Sequence, residues 1–256
     1  MIVAVEGPCC AGKTTLSRGL LKALPQLTIA HVRCYADFAG GGRHLPDPVP
    51  RTLAEDAAGL QELVRLERAR TDAALRSDSD LILLDRGAHT LLAHRYAIEQ
   101  VTGLKCFGPA RRAVAEERLP TWPDLVLYLD IPQESVHERN RGKFPHDSIF
   151  IEAKFNAGIR SYYTGITGEQ DIVWLDATLE PYELVTLAEA SVSHLLTTAA
   201  ADQEGLPREA AAAIGQGRLR GLAQRSVARP VLDVDTRERD ASVEGATRSE
   251  SGRGVQ

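Results

Sequence analysis

Met1-Ile2-Val3-Ala4-Val5-Glu6-Gly7-Pro8-Cys9-Cys10-Ala11-Gly12-Lys13-Thr14-Thr15 is the stretch that decides the fold. Its first residues, Met1–Glu6, are short, apolar and β-branched, the pattern of a buried strand, and Gly7 closes the run. Gly7 to Thr14 satisfies G-x-x-x-x-G-K-[ST] at every position, and Lys13–Leu24 then has helical spacing until Pro25 stops it. The motif alone produces chance matches; between a strand and a helix it carries a mechanism. Such a loop turns its backbone N–H groups inward around phosphate oxygens, and the helix that follows adds its positive end. Gly7, Pro8, Cys9, Cys10, Ala11, Gly12, Lys13, Thr14 and Thr15 are therefore the predicted nucleotide-binding residues. In this scheme Lys13 reaches the β- and γ-phosphates of ATP, and the Thr14 hydroxyl ligates the Mg²⁺ that bridges them.

Outward from the loop, apolar runs alternate with helical spacing. Strands are predicted at Leu27–Arg33, Asp80–Leu84, Leu125–Leu129 and Gln170–Leu175, with helices at Thr52–Arg76, Ala88–Gln100, Arg111–Arg118, Pro132–Asn140, Ile149–Thr164 and Pro181–Thr198. Cys34–Pro50, rich in Gly and Pro, is expected as a long ligand-handling loop. Five buried strands separated by helices imply an α/β fold, a five-stranded parallel sheet with helices on both faces in three layers. Ligands of such sheets bind at the carboxyl ends of the strands. That directs attention to Gly7–Thr15, Cys34–Asp37, Asp85–Arg86 and the residues from Asp130 onward.

Composition narrows the classes. Among 256 residues, 43% are hydrophobic, as in an ordinary globular protein, and a net charge of -5 argues against a nucleic-acid-binding surface. No apolar run reaches the ~20 residues of a membrane span, so no membrane partner is expected. Nor does a basic and then apolar leader precede the first strand, and the expected location is cytoplasmic. Cys9, Cys10, Cys34 and Cys106 lack metal-site spacing and are expected as reduced thiols. His89 and His94, five apart, share no helix face suited to a metal. The segment from about Ala199 to Gln256 has no aromatic residue and few Leu, Ile or Val. It is expected as a mostly disordered tail beyond a domain of residues 1–198, with a transient helix around Pro207–Ala223.

Several motifs in order resemble the thymidylate kinase group of nucleoside and nucleotide kinases, over roughly residues 1–198. They are Leu83-Leu84-Asp85-Arg86, Pro123-Asp124-Leu125-Val126-Leu127-Tyr128-Leu129-Asp130, the basic segment Glu138-Arg139-Asn140-Arg141-Gly142-Lys143, Arg68 and Tyr163. The resemblance implies a P-loop kinase that moves the γ-phosphoryl group of Mg-ATP to a nucleoside monophosphate, with dTMP as the default. It implies that Arg139 and Arg141 lie in a closing lid, that Arg68 and Arg86 grip the acceptor phosphate, and that Asp85 orients Mg²⁺. Thr90, His94 and Tyr163 belong to its acceptor side, and members of the group often pair as homodimers. Phosphoryl transfer needs cations at the equatorial oxygens and exclusion of water, which suits such a lid.

The acceptor half departs from the group. Cys9 stands where an acidic residue is usual, His94-Arg95 replaces a Tyr-Gln pair, and Asp37-Phe38-Ala39-Gly40-Gly41-Gly42 replaces a Glu-Pro-Gly turn. A phosphorylated acceptor needs arginines and no base. A nucleoside or other alcohol needs a carboxylate for its proton, for which Asp37 is the candidate. A non-catalytic ATP-binding regulator is the reading from a different class.

Overall fold

The computed structural model describes residues 1–39, 44–204 and 232–233. Its strands are β1 (Ile2–Glu6), β2 (Ile29–Val32), β3 (Leu81–Asp85), β4 (Leu125–Asp130), β5 (Ile172–Asp176) and β6 (Leu232–Asp233), all in one sheet ordered β5-β4-β1-β3-β2-β6. Every pairing is parallel. The first five are the predicted strands. β6 is an addition, two residues long, set beside Ala30 and His31 of β2.

The helices are α1 (Lys13–Ala23), α2 (Tyr35–Phe38), α3 (Leu53–Leu75), α4 (Ala88–Thr102), α5 (Phe107–Glu116), α6 (Gln133–Asn140), α7 (Ala153–Ile166) and α8 (Pro181–Glu204). Strand alternation divides the core. Val3, Val5, Leu125 and Leu127 pack with Leu16 and Leu20 of α1 and Ala188 and Val192 of α8. Val126 and Tyr128 point the other way, into a cluster with Leu60 of α3, Leu91 and Ile98 of α4, Val114 of α5 and Tyr163 of α7. Helices on both faces make three layers. A Cβ on Gly158 of α7 would sit 2.8 Å from Ala97 Cα of α4, so only glycine lets those two helices approach so closely.

Four boundaries differ from expectation. Tyr35–Phe38 forms one helical turn inside the predicted loop, pinned by the buried Tyr35. α5 begins at Phe107, within the region expected to break the pattern; Gly103, in left-handed conformation, ends α4 just before it. The expected helix Ile149–Thr164 is divided, because Glu152 is extended (ψ 130°) between a 3₁₀ turn at Ile149–Ile151 and α7. α8 continues to Glu204. The predicted transient helix at Pro207–Ala223, and Gly40–Gly42, lie outside the described residues.

β1 is central, and the chain crosses from the β2–β3 side to the β4–β5 side around it. This is the switch point at which an open α/β sheet forms its crevice.

Candidate active site

The loop after β1 is held against β4. Gly7 has φ 132°, and a Cβ there would lie 2.6 Å from the Leu129 carbonyl oxygen, so no side chain fits. Cys10 (φ 64°) and Gly12 (φ 98°) are also left-handed, which curls the loop into the start of α1. Lys13 folds back over it, donating to the Gly7 carbonyl at 3.0 Å and the Pro8 carbonyl at 2.5 Å. Burial, then Arg86, lower its pKa to about 8. Phosphate oxygens brought against this amine would replace two weak carbonyl partners with full charges.

Thr14 Oγ1 donates to Asp85 Oδ2 at 2.7 Å, joining the first turn of α1 to the end of β3. Both offer the hard oxygen donors that Mg²⁺ takes, with phosphates and waters completing its shell. Among the described residues no group of three His, Cys, Asp or Glu side chains is gathered as a protein-only metal site. Thr15 follows on the exposed side of α1.

Arg86 follows Asp85 in left-handed backbone (φ 69°). Its guanidinium lies 3.4 Å from the Gly7 carbonyl and 3.5 Å from Cys9 Sγ. Glu6, at the end of β1, is buried beneath it and accepts from the Gly87 N–H at 2.8 Å and from Thr90 Oγ1 at 2.6 Å. Burial raises the Glu6 pKa, while Arg86, Thr90 and Gly87 pull it down.

Beside this corner lies a cavity of about 440 Å³. Leu45, Pro46, Leu63, Phe144, Phe150 and Phe155 make most of its wall apolar. Cys9, Arg86, Thr90, His94 and Tyr163 also line it, so the structure brings these predicted residues together, and Glu6 lines it beside them. His94 stands edge-on to Phe155 at 5.2 Å; burial, then Arg95 and Arg86, lower its pKa to about 3, so the imidazole is neutral. Asp56 and Arg95, also on the wall, form an ion pair at 3.1 Å with both side chains at most 6% exposed.

Two predicted acceptor residues lie elsewhere. Arg68, expected on an acceptor phosphate, faces outward on α3 and pairs with Glu117 at 2.7 Å, bonding its carbonyl as well. One residue before it and two after it, Glu67 and Arg70 take the inward face that helical spacing denies to Arg68. Asp37 is exposed on α2 and is not a lining residue. In the segment expected to form a lid, Arg139 donates to the Ala177 carbonyl at 2.9 Å, and Arg141 ends α6 in left-handed conformation (φ 42°). Burial and Cys9 raise the Cys10 pKa, against Lys143, Lys13 and Arg139, so Arg139 and Lys143 of this segment lie near enough for their charge to reach the loop.

Sequence reasoning missed Glu6, Asp56, Glu67 and Arg70. Glu6 left a signal: a carboxylate ending a wholly buried strand directly before the loop requires partners. The other three are charged helix residues, indistinguishable by type from solvated ones.

Among solved structures, the chain is similar to deoxyadenosine kinase from M. mycoides with bound dATP, at 16% identity and TM-score 0.54, over 75% of this chain and 99% of that one. The same kinase with dCTP matches at 15% identity and TM-score 0.54, again over 75% of this chain and 98% of the other. With the products dCMP and dCDP it matches at 14% and 0.53, over 75% and 98%. At such identity the likeness establishes the shared fold. No family model matches the sequence, and neither does any curated relative.

Proposed function

We propose that this protein transfers the γ-phosphoryl group of Mg-ATP to the hydroxyl of a small acceptor, a nucleoside or a compound of similar size. The carrying observation is the cavity beside Gly7–Thr14: its wall is mainly apolar, and its Arg95 is already balanced by Asp56. A cage for a dianionic phosphate would present several uncommitted cations, and Arg68 and Arg70 are both engaged elsewhere. Likeness to a deoxynucleoside kinase supports the same reading.

ATP binds at the loop, with Lys13 on its terminal phosphates. Thr14 and Asp85 would hold Mg²⁺, whose charge would offset that of the phosphates during transfer. Arg86 stands between loop and cavity, where donor and acceptor meet. An alcohol must lose a proton to a base. Glu6 is a cavity carboxylate beside the loop, fixed by hydrogen bonds from Gly87 and Thr90, and burial raises its pKa, which makes it a stronger proton acceptor. This replaces Asp37 as the candidate for that role. Arg139 and Arg141 supply further charge when the segment closes. Arg139→Ala and Arg141→Ala are then expected to lower kcat by about 10–100-fold while ATP affinity changes only a few-fold, because their charge is needed most in the transition state. Turnover and nucleotide affinity measured side by side check this; equal losses in both would reduce the segment to a docking loop.

A nucleoside monophosphate acceptor is the second reading, favoured by Arg86, whose side chain makes only long bonds, to Gly7 and Cys9, among the described residues. The deciding experiment measures ADP release from Mg-ATP with a panel of nucleosides, nucleoside monophosphates and small alcohols. Turnover with unphosphorylated acceptors is expected. Turnover confined to monophosphates would reverse the choice, and none with any acceptor would leave the regulator reading in possession.

A further inference from the structure

Arg86 and Gly87 hang on a buried polar cluster that the phosphate-binding motif does not include. Arg70 and Glu67 of α3 form an ion pair at 2.7 Å with neither side chain exposed. Arg70 also donates from Nη1 to the Arg33 carbonyl at 2.8 Å and from Nη2 to the Arg86 carbonyl. Its guanidinium lies over the Tyr35 ring, 4.1 Å from the centroid. The Tyr35 hydroxyl donates to Glu67 at 2.6 Å and lies 3.3 Å from the Gly87 carbonyl. Thr121 donates to the other Glu67 oxygen at 2.7 Å.

The two carbonyls held by Arg70 follow β2 and β3, the strand ends that border the cavity. One planar fork thus ties together both loops at the carboxyl edge of the sheet. Arg86 is left-handed there, a conformation that is strained for a non-glycine residue and needs outside support. A purely structural role is poorly served by this device, since an apolar pair of similar volume fills a core at least as well.

We propose that Arg70, oriented by Glu67, is a positioning residue: it holds the Arg86 carbonyl in the turn after β3 and thereby aims the Arg86 side chain at the loop. This rests on the phosphotransferase reading above. Lysine at 70 keeps a charge for Glu67 but has one nitrogen where three bonds diverge. A displacement of Arg86 by about 1 Å is enough to lose up to about 100-fold in rate.

The test is a double-mutant cycle on the full chain, read as kcat for ADP release at a temperature where all variants are folded. Arg70→Lys is expected to lower kcat by about 10–100-fold with little change in ATP affinity. In an Arg86→Lys background the same change is expected to have almost no further effect, because its target is already lost. Tyr35→Phe, which keeps the ring and frees the Gly87 carbonyl, is expected to cost about fivefold in kcat. Val192→Ala, in the core on the other face of the sheet, is expected to leave kcat unchanged while lowering the melting temperature. Additive losses from Arg70→Lys and Arg86→Lys, or kcat falling in step with melting temperature through Val192→Ala, would overturn the proposal. If Arg70→Lys does not fold, the contrast between Tyr35→Phe and Val192→Ala decides it. If no acceptor is turned over, the phosphotransferase reading has failed by itself, and slow hydrolysis of Mg-ATP carries the same comparison.

Discussion

Lys13→Ala is expected to lower phosphoryl transfer by at least about 100–1,000-fold, the loss found when one preorganised donor to a developing charge is removed. Among the described residues the side chain forms no ion pair; it folds onto the Gly7 and Pro8 carbonyls. Burial pushes its pKa down to about 8, which means that the folded state disfavours the charged amine. Removing the amine therefore relieves a cost of folding, and Lys13→Ala should melt at or above the wild-type temperature. The linkage has the same sign. Between pH 8 and the ordinary lysine range the unfolded chain holds the extra proton, so this group makes stability rise with pH there. ADP release and a thermal melt on the same preparation test both halves. Near-normal turnover in the alanine variant would sink the nucleotide-site assignment.

Glu67→Ala carries the largest expected effect on stability. It leaves the Arg70 charge buried without its carboxylate, and it strips Tyr35 and Thr121 of their acceptor. Breaking a buried pair in this way costs about 3–5 kcal/mol, a large part of the 5–15 kcal/mol that holds a domain folded. Urea unfolding should show the midpoint falling accordingly. Glu67→Leu combined with Arg70→Met should regain part of that stability, because no charge then remains to be solvated. It should not regain turnover, since the Arg86 carbonyl still lacks its clamp. A single variant within about 1 kcal/mol of wild type would show that the pair is not the keystone its burial suggests.

Thr14 and Asp85 show how far linear reasoning reaches. Each ends or begins an element whose period is plain in the residues around it, and parallel strands bring such ends to one edge. Their 2.7 Å contact, across 71 positions of chain, follows from topology already written in the apolar runs. Arg68 shows where that reasoning stops. Arg68 and Arg70 are two residues apart on the same helix, and either fits an arginine-bearing face by type. Two residues of helix turn a side chain by more than half a revolution, so only one of the two can face inward, and the rotation of α3 about its axis, set by packing, decides which. Glu152 shows a second limit: its extended backbone divides a helix that spacing alone runs through.

By itself the sequence determined strands β1 to β5, the parallel sheet and the glycine-bearing loop between β1 and α1. Those features depend on local periodicity and on a glycine pattern that backbone sterics enforce. Only the tertiary structure decided which charges face inward: Glu6 under Arg86, Asp56 against Arg95, Glu67 against Arg70. The physical reason is that burial of a charge depends on its partner. Each partner here comes from a distant or differently rotated position, and desolvation leaves inside only the charges that meet one.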